Sequence, residues 1–186
     1  STRINHVAIN SDHYAVNARF YEALFGMKTG KKTLPPARAI SVGDGYVGMT
    51  IIPRRGGRKA GLDHFGMVVE SVEDCMERAR KRFPKSAIVK RPSTRPFAQY
   101  SAHDPDGNVF DLAQRDFKLG AIYAEQKDKQ FACDRYLNKF AIRTPNAELC
   151  AEFYAEVFGL QPSNKQGDER GWHLTDGRVT LSILQW

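Results

Sequence analysis

The chain has 186 residues, with 28 Lys and Arg against 21 Asp and Glu, a formal charge of +7 and 41% hydrophobic content, which excludes a disordered chain and fits a globular one. Its basic residues are dispersed, apart from Arg54, Arg55, Arg58 and Lys59 and a run from Arg78 to Arg95. Without a recognition-helix, zinc-finger or RNA-binding aromatic motif these read as solvated surface, so no nucleic-acid partner is expected. Cys75, Cys133 and Cys150 lack C-x-x-C spacing and read as reduced thiols. With no signal-like or membrane-length apolar run, the expectation is a cytoplasmic protein without a membrane partner.

In chain order, Ile4-Asn-His-Val-Ala-Ile9 alternates as a half-buried strand does. Ser11 or Asp12 is placed to cap a helix whose apolar residues Val16, Phe20, Leu24 and Phe25 recur at helical spacing, and Gly26 ends it. Strands follow near Met27–Lys32, Arg38–Val42 and Tyr46–Pro53, the last two joined at Gly43-Asp-Gly45. The same order recurs in Leu62–Val69, Val72–Phe83, Ala87–Arg91, Gln99–Ala102 and Asn108–Gln114, with Asp104-Pro-Asp-Gly107 as the turn. It recurs again in Leu137–Arg143, Ala147–Phe158, Leu160–Asn164, Gly171–Leu174 and Arg178–Leu184, with Asp176-Gly177 as the turn.

These are three copies of one unit. Residues 4–27 align with 137–160 without a gap, matching at Asn5/Asn138, Ala8/Ala141, Ile9/Ile142, Phe20/Phe153, Tyr21/Tyr154, Phe25/Phe158 and Gly26/Gly159. His64 falls on His6 and Asp63 on Asn5. Such a unit cannot bury its own apolar face and pairs with another copy. The domain organisation expected is residues 1–115 as a pair of units, 116–136 as a linker with some helix, and 137–186 as a third unit.

The βαβββ order, the I-N-H-V-A-I and L-D-H-F-G-M strands, the A-R-F-Y-E-A-L-F-G-M helix and the D-P-D-G-N-V-F-D-L hairpin resemble the vicinal oxygen chelate superfamily. Its members include glyoxalase I, extradiol dioxygenases, fosfomycin-resistance proteins, methylmalonyl-CoA epimerase and bleomycin-binding proteins. The resemblance implies an α+β fold in which two βαβββ units form a cupped eight-stranded mixed sheet, with a third unit beside it.

Period-two alternation puts Val7, Ile9, Phe65, Met67, Val69, Phe110 and Leu112 on a helix-covered face. His6, Ala8, Asn10, His64, Gly66, Val68, Val109, Asp111 and Ala113 then line a concave one. Aligning the last strands on Gly45, Gly107 and Gly177 makes Met49, Asp111 and Leu181 equivalent.

Carried onto these positions, the resemblance implies that His6, His64 and Asp111 hold a divalent ion (Fe, Mn, Zn or Ni). It places Met49 where some members have a fourth ligand. Asp111 stands where the family usually has Glu. Two histidines and a carboxylate with open positions suit an ion that also accepts substrate oxygens.

The activity implied is ring-cleaving dioxygenase-like or glyoxalase/lyase-like, on a small molecule with adjacent oxygens. His103 and Tyr100 are candidates for acid–base work at the rim. The alternative is a metal-free protein that sequesters a small aromatic or anionic compound. In the third unit Lys139 replaces the histidine, so that unit is expected to hold no metal. Its sheet face bearing Ala141, Val179, Leu181 and Ile183 lacks a fourth copy to cover it. That leads to the expectation of a homodimer through the third unit, or of a chain lacking a fourth unit.

Overall fold

The computed structural model describes residues 1–29, 39–92, 98–117, 135–163 and 171–186. Most of the expected linker and Cys133 lie outside them, as does the loop beyond Pro92. The first unit is β1 (Arg3–Ser11), α1 (Tyr14–Phe25), β2 (Lys28–Thr29), β3 (Ile40–Gly43) and β4 (Gly48–Pro53). The second is β5 (Gly61–Val69), α2 (Val72–Arg82), β6 (Ile88–Lys90), β7 (Tyr100–His103) and β8 (Val109–Gln114). The third is β9 (Lys139–Thr144), α3 (Ala147–Phe158), β10 (Gln161–Pro162), β11 (Gly171–Thr175) and β12 (Thr180–Gln185).

Units one and two join along β1 and β5, which are antiparallel, into an eight-stranded mixed sheet of order β2-β3-β4-β1-β5-β8-β7-β6. The third unit forms its own four-stranded sheet, β10-β11-β12-β9. The fold is therefore α+β and built from βαβββ repeats. Helices α1 and α3 both end on a glycine in the left-handed region, Gly26 at φ 64° and Gly159 at φ 71°, where a side chain would be strained.

The central strands are buried on both faces, β1 from Ile4 to Ala8 and β8 from Phe110 to Ala113. Ile4, Val7, Phe65, Met67, Phe110 and Leu112 are buried on the outer face of the large sheet. The third unit packs onto that face, its α3 beside α2. Phe110 meets Phe158 at 5.4 Å between ring centroids, Phe65 meets Phe140 at 5.1 Å, and Phe83 of the second unit meets Phe153 at 5.3 Å. One continuous core thus serves all three units.

Part of the basic run on α2 fastens this joint. Arg78 donates to the carbonyl of Val157 at 2.8 and 2.9 Å, and Arg82 forks onto Glu156 at 2.8 and 2.9 Å.

Three expectations need correction. Val179, Leu181 and Ile183 are fully buried, because they belong to the face of the third sheet that turns toward α3 and the large sheet. Of the four residues expected on an open face, Ala141 alone is exposed. The apolar argument for a homodimer therefore fails. Among the described residues, the outer edge of β9 has no strand beside it.

The second correction is on α1, where Val16, Phe20 and Leu24 are 68%, 48% and 50% exposed and Phe25 is 37% exposed. The helix instead presents Tyr14, Ala18 and Tyr21 inward, a stripe of the same helical period. The chosen stripe depends on what lies beside the helix. In the third unit the residues equivalent to Phe20 and Leu24 are Phe153 and Val157, both buried next to α2.

Third, neither Ser11 nor Asp12 is the N-cap of α1. That position is His13, and the Ser11 hydroxyl accepts from the His13 amide at 3.0 Å and from the Asn17 side chain at 2.8 Å.

Candidate metal centre

Three adjacent strands bring the site together. In the ladders β1–β5 and β5–β8, His6 lies opposite Gly66, Ala8 opposite His64, and Gly66 opposite Asp111. Partners across a ladder share a face, so His6, His64 and Asp111 all stand on the concave side. Gly66 lies between His6 and Asp111, and a Cβ there would sit 1.9 Å from Cε1 of His6. The imidazole therefore lies directly over a residue that must be glycine. Alternation placed Gly66 on the inner face without revealing this role.

The three donors converge. One ligand atom from each of His6, His64 and Asp111 lies within 4.8 Å of the others. His6 Nε2 is 3.8 Å and His64 Nε2 is 3.4 Å from Asp111 Oδ2. Two donors at about 2.1 Å from one ion stand roughly 3.0–3.4 Å apart for angles between square and tetrahedral, so His64 and Asp111 already have that spacing, while His6 stands wider and would have to close on a shared cation.

The other ring nitrogen of each histidine is held. His6 Nδ1 donates to Asn5 Oδ1 at 2.9 Å, and His64 Nδ1 donates to Asp63 Oδ2 at 2.8 Å. Asp63 is itself held by Asn10 and Arg58, each at 2.9 Å. In the neutral rings this fixes the proton on Nδ1 and turns the Nε2 lone pair toward Asp111, the tautomer that metal-binding histidines adopt. Asn5 and Asp63 are repeat equivalents, so one local device orients both rings.

Asp111 is almost fully buried. Arg91 Nη1 donates to both of its oxygens at 2.7 Å, and Ser101 Oγ donates to Oδ1 at 3.1 Å. Burial pushes the Asp111 carboxyl up, but the nearby His6 and His64 side chains and the Arg91 guanidinium outweigh this and leave it below the usual carboxylate range. Burial lowers the His6 imidazole, with the contact to Asp111 opposing, which favours the neutral, ligating form. Ser101 lies within β7 directly opposite Asp111, and Arg91 directly follows β6.

The strand register corrects the alignment on turn glycines. Asp111 pairs with Gly66, two residues after His64. The equivalent partners are Thr50, opposite Ala8, and Ser182, opposite Ala141. Met49 and Leu181 are core residues on the other face.

The slip arises because the second turn is one residue longer. The Asp104 amide bonds the Asn108 carbonyl, whereas Asp44 bonds Val47 and Asp176 bonds Val179. A one-residue slip moves every side chain to the opposite face. Met49 therefore cannot be a fourth ligand.

The two rim candidates separate. Tyr100 pairs with Leu112 and packs against the core on the helix side, away from the three donors. The reason is again strand alternation: Ser101, its neighbour, takes the inward position. His103 pairs with Val109 on the concave side, and its Nδ1 donates to the Asp104 carbonyl at 2.9 Å. In the third unit Lys139 is exposed at the start of β9. Among the described residues the His6, His64 and Asp111 trio is the one group of this kind.

A mixed cupped sheet of paired βαβββ units with two histidines and a carboxylate on its floor defines a class. Residues 3–112 match the model of the Glyoxalase/Bleomycin resistance protein/Dioxygenase superfamily, and the chain belongs to that superfamily. No curated protein matches the chain in sequence.

Solved structures that share its fold include the Mn(II)-bound glyoxalase from Novosphingobium aromaticivorans, with TM-score 0.67 and 13% identity over 100% of this chain and 63% of that one. The 2,3-dioxygenase LapB from Pseudomonas sp. KL28 has TM-score 0.68 and 14% identity over 99% and 70%. The halotolerant catechol dioxygenase BphC has TM-score 0.65 and 11% identity over 98% and 65%. The chain thus spans about two thirds of the length of these proteins. Among the described residues no helix is long and apolar enough to cross a membrane.

Proposed function

We propose that the protein is a metal-dependent vicinal oxygen chelate enzyme. His6, His64 and Asp111 would hold a divalent ion, and the small-molecule substrate would present two adjacent oxygens to it. The observation that carries this reading is the convergence of two Nε2 lone pairs and a carboxylate oxygen on one point.

The bound ion would act as a Lewis acid and as a template for the chelating oxygens. Asn5 and Asp63 would keep the imidazoles aimed, and Ser101 would tie back the carboxylate oxygen that faces away. His103, on the same concave face, is the candidate acid or base; the position of Tyr100 does not support that role for it. A ring-cleaving dioxygenase-like and a glyoxalase/lyase-like reaction both fit three protein ligands. A Mn(II)-bound glyoxalase and a catechol dioxygenase among the fold's relatives keep both in view.

The test is elemental analysis of protein purified without chelators, beside His64→Ala and Lys139→Ala. Stoichiometric transition metal in the wild type and in Lys139→Ala, with its loss in His64→Ala, is the expected result. Absence of metal from all three would move the reading to a metal-free binding protein. One feature favours that second reading: Arg91 already satisfies both oxygens of Asp111.

A further inference from the structure

Asp111 already has a cation. The Arg91 guanidinium rests on both of its oxygens at 2.7 Å, and the Asp111 side chain is 7% exposed. With neutral imidazoles, the cluster of His6, His64, Asp111 and Arg91 carries no net charge. The layer behind it is balanced too, since Asp63 is matched by Arg58 at 2.9 Å and Asn5 and Asn10 are uncharged. A divalent ion placed against Oδ2 therefore brings two uncompensated positive charges into a buried site, beside a guanidinium that shares the same carboxylate. Uncompensated buried charge is far more costly than paired charge.

We infer that Arg91 makes this a site for a metal ion together with a doubly anionic vicinal-oxygen ligand, weakening the hold on the bare ion and favouring the ion once such a ligand chelates it. The inference rests on the metal reading above and names the substrate class within it. That class carries two negatively charged oxygens on adjacent atoms, as opposed to a neutral diol or diamide of the same shape. Arg91 is a positioning and charge-setting residue here, because it contacts the ligating carboxylate and not the ion. A like charge within about 4–6 Å changes the ease of forming a second charge by one to three powers of ten, which sets the size of the effect.

The experiment measures Mn(II) binding to the full chain by the magnetic resonance signal of free Mn(II). It is run alone, with oxalate and with its neutral isostere oxamide, correcting for complexes formed in solution. In the wild type, oxalate is expected to tighten Mn(II) retention by about 10-fold or more and oxamide to leave it unchanged. Arg91→Gln should bind Mn(II) alone about 10-fold or more tightly than the wild type and should show a smaller oxalate effect. Arg91→Lys, which keeps the charge, should stay near the wild type.

Oxamide acting as well as oxalate would overturn the inference while leaving the metal site standing, and so would Mn(II) affinity unchanged or weaker in Arg91→Gln. Should Arg91→Gln fail to fold, Arg91→Met, which also removes the charge, takes its place, because oxalate outbinds oxamide at any open Mn(II) site and only loss of the guanidinium tests its part. A wild type that retains no Mn(II) under any of these conditions removes the metal reading and this inference together.

Discussion

Asp44 and Asp176 reach across to each other's units in the same way. Asp44 Oδ2 accepts the main-chain amide of Leu137 at 2.9 Å, and Asp176 Oδ2 accepts that of Ile4 at 2.7 Å. Leu137 and Ile4 are equivalent positions of the repeat, so units one and three are joined by a reciprocal, pseudo-twofold contact. Each aspartate's other oxygen closes its own turn, Asp44 on the amides of Tyr46 and Val47 and Asp176 on those of Arg178 and Val179. Asp44→Ala and Asp176→Ala should each lower stability by about 1–3 kcal/mol, because buried amides lose a charged acceptor. Urea unfolding checks this, and a loss confined to one of the two would contradict the reciprocity.

Between those turns Tyr46 is stacked by Arg3 at 4.2 Å and Arg178 at 4.6 Å, and its hydroxyl donates to Asp176 at 3.1 Å. Burial first, then the charge and hydrogen bond of Asp176, push the phenol from 10.0 up to about 12. In the window between these values the unfolded chain releases a proton that the folded chain keeps. Stability contributed by Tyr46 is therefore complete below pH 10 and lost as pH rises toward 12. An ultraviolet tyrosinate titration of the wild type minus that of Tyr46→Phe should show one phenol ionising near 12, and a difference curve centred near 10 would refute the shift.

Phe20 and Phe153 occupy the same place in two copies of the helix but differ in surroundings, 48% exposed against fully buried. Phe153→Ala should cost about 3–5 kcal/mol, the usual loss for a buried phenyl ring. Phe20→Ala should cost less than about 1 kcal/mol. Thermal or urea unfolding of the pair compares them directly. Similar losses would mean that α1 is as tightly covered as α3.

Gly66 is the floor beneath the His6 ring. In Gly66→Ala the new methyl would meet the imidazole at 1.9 Å, so the ring or the strand must move, at a cost of about 1–3 kcal/mol. Zn(II) affinity, measured by competition with a chromogenic chelator, should fall by about 10-fold or more, as it does when ligand-positioning groups are lost. Gly107→Ala is the control for a glycine replaced elsewhere. It lies in the β7–β8 turn at φ 89° with open space around it, so stability should fall there without a matching loss of Zn(II).

The sequence by itself determined the repeat, the order of elements within it and the face on which His6, His64 and Asp111 stand. These are local properties: alternation along one strand, helical spacing and turn residues act over a few positions, and duplication writes them more than once. Tertiary structure alone decided the rest.

Register across β8 depended on a turn one residue longer than its two counterparts, which is why Thr50 and Ser182, not Met49 and Leu181, match Asp111. Arg91 and Ser101 reach Asp111 from 20 and 10 residues away, through strand pairing that no single segment encodes. The inward stripe of α1 and the burial of Leu181 follow from which unit packs against which. An amphipathic segment carries the capacity to be buried, but the neighbour that covers it is fixed only when the sheets and helices come together.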